Sequence, residues 1–165
     1  MSTSEDLKAA FAGESQANRK YLAFAKKADL EGLPQVARLF RAAAQGETVH
    51  ALAHLAAMDG VGDTAENLKE AFGGETYEVE SMYPPMIEQA KAEENKKAAR
   101  SFRNAFEVEK VHASLYQAAL QAFGQPQGEQ FFYFVCPVCG YVEARTAPER
   151  CPVCGTPGER FECIQ

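Results

Sequence analysis

Two four-residue stretches are most informative about the fold: ETVH at residues 47–50 and EKVH at residues 109–112. Each places a glutamate and a histidine three positions apart, so both side chains lie on one side of a helix. The sequences just before them are also repeated, since ARLFR at 37–41 matches ARSFR at 99–103 at the same offset of 62 residues. The chain therefore contains two copies of a helix that carries a glutamate–histidine pair.

A second repeat precedes each of these helices. FAGES at 11–15 matches FGGET at 72–76, at an offset of 61 residues, and the two stretches supply the lone glutamates Glu14 and Glu75. Each copy thus holds one lone glutamate and one glutamate–histidine pair, on two successive helices. We interpret the chain as a duplicated helix hairpin, and two hairpins predict a four-helix bundle.

The helix boundaries follow from apolar periodicity and local signals. Apolar residues recur at steps of three and four along four long segments, which is the spacing of one helical face. Thr3 or Ser4 can cap the first helix, and Gly-Leu-Pro at 32–34 ends it and starts the second. The third helix is expected to kink at Pro84 and Pro85.

The repeated acidic residues lie on the stripes that should face the bundle interior. An ionised carboxylate buried there without a partner costs several kcal/mol, so either protonation or a bound metal must relieve that cost. Carboxylate oxygen with one imidazole per ion suits a pair of iron or manganese ions. A single such pair on a helix is usually a solvated ion pair; the repetition favours metal. The predicted ligands are Glu14, Glu47, His50, Glu75, Glu109 and His112.

Glu78 breaks the symmetry of the repeat. It follows Glu75 by three residues, and Ala17 stands at the corresponding place in the first copy. Glu78 is therefore either an additional metal ligand or a surface charge in the acidic run GETYEVE. Glu80, in the same run, is expected to be a surface charge.

Composition excludes several classes of function. The chain has 165 residues, a net charge of −6 and a pI near 5.2, which argues against nucleic-acid binding. No stretch is apolar enough to span a membrane, and the N-terminal sequence lacks the pattern of a secretory signal. We therefore expect a cytoplasmic protein, and in a reducing compartment paired cysteines favour metal over disulfides.

The composition changes near Gly124, after which all five cysteines occur. We expect a helical domain at 1–123, a linker at 124–130 and a small domain at 131–165. Two CPVCG blocks predict a tetrahedral thiolate site, for which zinc and a single iron are both suitable. Its ligands are Cys136, Cys139, Cys151 and Cys154. Cys163 is expected to be an uninvolved thiol.

Taken together, GES, the two Glu-x-x-His pairs, GETYE followed by MYP, and the terminal CPVCGY and CPVCG blocks resemble the rubrerythrin family over nearly the whole chain. The resemblance implies a ferritin-like four-helix bundle with two iron ions, oxo-bridged when oxidised, followed by a rubredoxin-like domain with one iron. It also implies a peroxidase that reduces hydrogen peroxide to water, with electrons arriving through the rubredoxin-like iron from rubredoxin or an NAD(P)H-dependent reductase.

The same resemblance implies a role for each ligand. Glu47 and Glu109 would bridge the irons, Glu14 and Glu75 would be terminal, and His112 would bind permanently. His50 and Glu78 would be exchangeable ligands of the other iron, and so the catalytic pair. We hypothesise that reduction releases Glu78 because neutral His50 removes a buried net charge. Tyr21 and Tyr83 would hydrogen-bond the ligand carboxylates, although a tyrosine on such an apolar stripe is more often an ordinary core residue.

A homodimer is implied, with the rubredoxin-like domain close to the partner's di-iron centre. The link MDGVGDTAENL between the second and third helices is short, and in some relatives this accompanies exchange of helix pairs between subunits. The eleven residues between the cysteine pairs weaken the preference for iron over zinc. His54 is expected to be a hydrogen-bonded core residue. The alternative functions are a ferritin-like ferroxidase or iron-handling protein, and a zinc-ribbon binding module.

Overall fold

The computed structural model describes residues 2–126 and 128–165 and divides the chain into two compact units. The first ends at Gly62 and is a hairpin of two helices, α1 (Thr3–Leu30) and α2 (Pro34–Ala57). The helices pack through small residues on their facing sides, which allows a close approach of the two backbones. The buried residues of this interface are Asn18, Ala25, Ala28, Ala37, Ala44 and Ala51.

The first helix begins one residue earlier than predicted. Ser2 is the cap: its hydroxyl accepts from the backbone N–H of Glu5, and the Glu5 carboxylate accepts from the N–H of Ser2. Thr3 and Ser4 lie inside the first turn, so their predicted capping role is wrong. The predicted break after α1 is confirmed, since Gly32 has a φ of +73° and a proline starts α2.

The second unit runs from Asp63 to Gln165 and begins with a long helical segment. This segment consists of α3 (Thr64–Tyr77), a π-helical turn at Glu78–Met82, and α4 (Tyr83–Ala92). It is followed by α5 (Lys96–Ala122), which packs against α3 and α4. The predicted helical segments are thus present.

The irregularity predicted at Pro84 and Pro85 takes the form of this π-helical turn. A proline inside an α-helix lacks an N–H, and its ring clashes with the carbonyl four residues earlier. In the π turn the N–H of Tyr83 donates instead to the carbonyl of Glu78, five residues back. The turn therefore opens the helix just before the two prolines.

The turn also contains one extra residue relative to the first copy of the repeat. Glu14 and Glu75 are 61 residues apart, whereas Tyr21 and Tyr83 are 62 apart. A single insertion into a regular α-helix would rotate everything beyond it by about 100°. A π turn accommodates the inserted residue and keeps Glu75 and Tyr83 on one side of the helix.

The cysteine-containing end of the second unit is built on a three-stranded antiparallel sheet in the order β2-β1-β3. The strands are β1 (Tyr133–Val135), β2 (Val142–Ala144) and β3 (Glu162–Ile164). The predicted fold class is confirmed: a mainly α, ferritin-like chain with a small rubredoxin-like four-cysteine domain after the helices. Within the described ranges, no helix combines the length and the apolar character needed to cross a membrane.

Candidate metal centres

The α1–α2 hairpin brings together one lone glutamate and one glutamate–histidine pair. Nδ1 of His50 lies 3.1 Å from a carboxylate oxygen of Glu47 and 4.0 Å from one of Glu14. The Glu47 side chain is 19% exposed, whereas that of His50 is 60% exposed. We call this group, Glu14, Glu47 and His50, the first half-site.

The second unit contains the matching group, which we call the second half-site. Nδ1 of His112 on α5 lies 2.6 Å from a carboxylate oxygen of Glu109 and 3.8 Å from one of Glu75 on α3. The exposed fractions of these side chains are 15% for Glu109 and 23% for His112. In each half-site two carboxylates and one imidazole nitrogen converge, with all three ligand atoms within 4.8 Å of one another.

The electrostatics of the second half-site favour a bound cation. Burial raises the pKa of Glu75, and the nearby charge of Glu109 raises it further. The pKa of Glu78 is also raised, by burial and by the charge of Glu75. Several carboxylates therefore lie close together, and their mutual repulsion has a free-energy cost that a bound divalent cation would remove. Two carboxylates and one imidazole nitrogen are ligands suited to iron or manganese.

Glu78 lies close to the second half-site without belonging to its group of three converging ligands. Burial raises the pKa of Tyr83, and the charges of Glu78, Glu109 and Glu75 add to the effect. Tyr83 therefore faces the acidic cluster, on the side where a second-copy tyrosine was expected. The ring of Tyr21 packs against Phe40, with centroids 6.2 Å apart, as a core residue would. The metal-site assignments of all these residues stay predictions.

The structure adds a contact that sequence reasoning missed. Nε2 of His112 lies 3.1 Å from the carbonyl oxygen of Gly140, the residue after Cys139. Val108, which is 1% exposed, lies one turn before His112, and its Cγ1 is 3.9 Å from the place a Cβ would occupy on Gly140. The cysteine domain thus contacts a half-site ligand of its own chain, and its expected proximity to a partner's di-iron centre stays a prediction.

The four predicted cysteines converge into one cluster. The sulfur atoms of Cys136 and Cys154 are 3.6 Å apart, and those of Cys139 and Cys151 are 3.5 Å apart. The glycines that follow the second cysteine of each block have φ of +85° and +76°, which lets each loop turn back on itself. Cys163 is exposed and outside the cluster.

The thiols of this cluster differ in acidity. Burial raises the pKa of Cys139 and of Cys151. Burial opposes ionisation of Cys154 as well, but hydrogen bonds from the hydroxyl and backbone N–H of Thr156, together with those from the thiols of Cys139 and Cys136, lower its pKa to about 6. Four sulfurs at these distances match a tetrahedral thiolate site, and the donor set accepts iron or zinc.

Paired carboxylate–histidine half-sites on long helices, followed by a four-cysteine domain, define the class of ferritin-like metalloproteins with an attached rubredoxin-like centre. The family model described as rubrerythrin matches residues 5–120, and the model for the rubredoxin-like domain of rubrerythrin matches residues 134–162. The chain belongs to the rubrerythrin family, whose members are generally oxidoreductases with a di-iron domain and a rubredoxin-like domain.

Curated relatives resemble the chain over most of its length. Nigerythrin of Nitratidesulfovibrio vulgaris is 38% identical, with 97% of this chain and 85% of the relative covered. Rubrerythrin-2 of Clostridium acetobutylicum is 33% identical, with 98% and 96% covered. A solved structure of nigerythrin in a fully reduced, all-ferrous state has a TM-score of 0.60 and 36% identity, covering 99% of this chain and 87% of that one.

Proposed function

We propose that the protein is a di-iron peroxidase that reduces hydrogen peroxide to water with electrons supplied through an iron in its four-cysteine site. The observation that carries the proposal is that one chain contains both the carboxylate–histidine half-sites and a four-cysteine site. Two carboxylate–histidine half-sites suit a redox-active metal pair, and the second half-site is linked to the cysteine domain by the contact between His112 and Gly140. An electron-transfer domain would serve no purpose in a purely structural bundle.

The proposed centre uses seven ligands: Glu14, Glu47, His50, Glu75, Glu78, Glu109 and His112. When bound, two ferrous ions would supply both electrons that cleavage of the O–O bond consumes. The overall reaction takes hydrogen peroxide, two protons and two electrons to two water molecules. Neither oxygen then leaves as a one-electron radical.

The chain's own groups must hold the ligands and deliver the two protons. His112 donates its Nε2–H to the carbonyl of Gly140, which orients the ring and leaves Nδ1 free as a ligand. Glu78, close to the half-site but outside its converging group, is the proposed exchangeable ligand and proton carrier. Tyr83 faces the same carboxylates and can donate a hydrogen bond to them.

We propose that each chain consists of a bundle domain at 1–123, a linker at 124–130 and an electron-transfer domain at 131–165. We also propose that the working form is a homodimer in which the two chains exchange helix pairs. A ferritin-like bundle contains one connection that runs along its length. With 24 residues, α2 is about 36 Å long. The seven steps from Ala57 to Thr64 reach at most about 25 Å. The link is therefore too short to run along the bundle within one chain. Exchange of helix pairs between subunits removes the need for such a connection.

The proposed electron source is rubredoxin or an NAD(P)H-dependent reductase. The described cysteines are all free thiols, which suits the reducing cytoplasm, where we place the protein. The acidic net charge of −6 supports neither a nucleic-acid nor an anionic membrane partner.

An anaerobic stopped-flow experiment tests the proposal. Iron-loaded protein is reduced with dithionite and mixed with hydrogen peroxide or with oxygen, while the iron–thiolate colour is followed. A peroxidase reoxidises faster with peroxide than with oxygen. Faster reaction with oxygen, accompanied by accumulation of ferric iron in a large oligomer, would support the ferroxidase alternative. A protein whose cysteine site retains only zinc when iron is offered, and which stays colourless and does not react with peroxide, would leave only a zinc-ribbon module.

A further inference from the structure

The start of α5 carries a group of cations that we call the α5 basic cluster: Lys96, Lys97, Arg100 and Arg103. All four side chains belong to exposed residues, and they fall within the first eight residues of the helix. Among the residues that the structure describes, none of the four has a carboxylate partner within 4.0 Å. The cluster is therefore a positive surface in a protein whose net charge is −6.

Helix stability does not explain this placement. The N-terminal end of a helix carries partial positive charge, so acidic residues are favoured there and cations are disfavoured. The helices α1 and α3 follow that rule, with Glu5, Asp6 and Glu66 in their first turns. The first turn of α5 contains no acidic residue. Its cations act against the helix dipole, which points to a role outside the folding of α5.

Within the cluster, Arg100 lies on the side of α5 away from the ligand Glu109. Arg100 precedes Glu109 by nine residues, which is two and a half turns of an α-helix. The two side chains therefore project in opposite directions. A partner that contacts Arg100 approaches from the face of α5 that the second half-site does not use.

The cluster borders the four-cysteine site directly. A depression of 440 Å³ is lined by Lys97, Arg100 and Asn104 of α5 and by Val138 and Cys139 of the first CPVCG block. The first cysteine of each block is buried, whereas Cys139 is only half-buried and Val138 is 51% exposed. The accessible edge of the thiolate site thus lies beside the cations.

A second, adjoining groove extends the positive surface. Its volume is 660 Å³, and its charged lining consists of Lys91, Lys96, Arg100, Arg103 and one carboxylate, Glu94. Lys91 pairs with Glu88, so it adds little net charge. The uncompensated charge is concentrated in the α5 basic cluster, next to Cys139.

We propose that the α5 basic cluster is the docking site of an acidic one-electron carrier protein, which delivers electrons to the iron of the four-cysteine site past Cys139. This inference rests on the proposed function. Each encounter transfers one electron from the reduced carrier to the ferric ion, so the carrier is oxidised by one electron and the thiolate-bound iron becomes ferrous. Two encounters supply one peroxide. Complementary charge speeds such encounters and orients the partner without requiring a large interface.

The test uses an oxidised, acidic rubredoxin as the probe. Titration calorimetry at low ionic strength measures its binding to the iron-loaded full chain. The variant Lys97→Glu with Arg100→Glu should raise the Kd at least tenfold, and high salt should abolish the difference. Its Tm should not fall, since the new charges suit the helix dipole. The matched control, Lys20→Glu with Lys26→Glu on α1, changes the net charge equally and should shift the Kd by less than threefold.

An unchanged Kd in the α5 variant, or an equal rise in both variants, would overturn the proposal. So would a variant that keeps its affinity for the carrier but loses affinity for NADPH, because the cluster would then bind a nucleotide. Reoxidation of dithionite-reduced protein by peroxide is measured alongside. Its absence in the wild type would defeat the proposed function and leave the Kd comparison intact.

Discussion

Nε2 of His112 lies 3.1 Å from the carbonyl oxygen of Gly140, so a half-site ligand and the loop after Cys139 share a hydrogen bond. A carbonyl only accepts, and therefore Nε2–H donates to it, while Nδ1 is the ring nitrogen that faces Glu75 and Glu109, where a metal ion would bind. The same bond that orients the ligand thus gives a direct covalent and hydrogen-bonded route from Cys139 to the second half-site.

The first prediction concerns the packing that holds this contact. Val108→Ala removes a fully buried side chain beside Gly140, which should lower the free energy of unfolding by about 1–3 kcal/mol. Looser docking of the cysteine domain should also slow electron transfer between the two metal sites. Denaturant unfolding and single-turnover stopped flow measure the two effects. Val49→Ala, at a residue that is 59% exposed, should change stability by less than about 0.5 kcal/mol.

The second prediction follows from the raised pKa of Glu75. A carboxyl whose folded-state pKa exceeds its unfolded value is favourable to folding when protonated, and this contribution is lost as pH rises through the folded pKa. Metal-free Glu75→Gln should therefore be more stable than metal-free wild type at neutral pH. The difference should shrink as the pH falls towards the ordinary carboxyl value of 4.5.

Bound metal should reverse the order of stability of the wild type and Glu75→Gln. With iron or manganese bound, the wild type should gain more in Tm than Glu75→Gln, because the variant has lost a ligand. Thermal unfolding at several pH values, with and without metal, measures this. Glu80→Gln in the neighbouring π turn is the control, since Glu80 is exposed. Equal metal-induced shifts in Glu75→Gln and Glu80→Gln would contradict the assignment of Glu75.

The third prediction separates the clustered cysteines from the remaining one. Cys151→Ser should abolish the red colour of the iron-loaded protein and lower the iron content by one ion per chain, because it breaks a four-thiolate site. Cys163→Ser should keep both colour and iron, since Cys163 is exposed and outside the cluster. Visible absorption and elemental analysis measure these quantities. Loss of colour in both variants would contradict a thiolate site made of the two CPVCG blocks.

How much of the fold and of the metal centres the sequence could predict depends on how far apart along the chain the interacting residues lie. The half-site geometry was predictable because Glu-x-x-His on a helix fixes its own local geometry, and the CPVCG spacing does the same for sulfur. The π turn was also encoded: the repeat offset changes from 61 at Glu75 to 62 at Tyr83, which marks a single insertion. The contact of His112 with Gly140 was not, because it joins elements 28 residues apart through a backbone carbonyl.

The last prediction tests the exchange of helix pairs. In a dimer of one Glu47→Gln chain and one Glu109→Gln chain, every centre formed within a single chain lacks a carboxylate. With exchange, one centre combines both altered half-sites and the other combines both intact ones. The mixed dimer, isolated with two different affinity tags, should therefore show about half of the wild-type peroxidase activity. Each variant homodimer should be nearly inactive, and a wild-type dimer carrying both tags gives the reference. An inactive mixed dimer that still binds its thiolate iron would show that each chain completes its own centre.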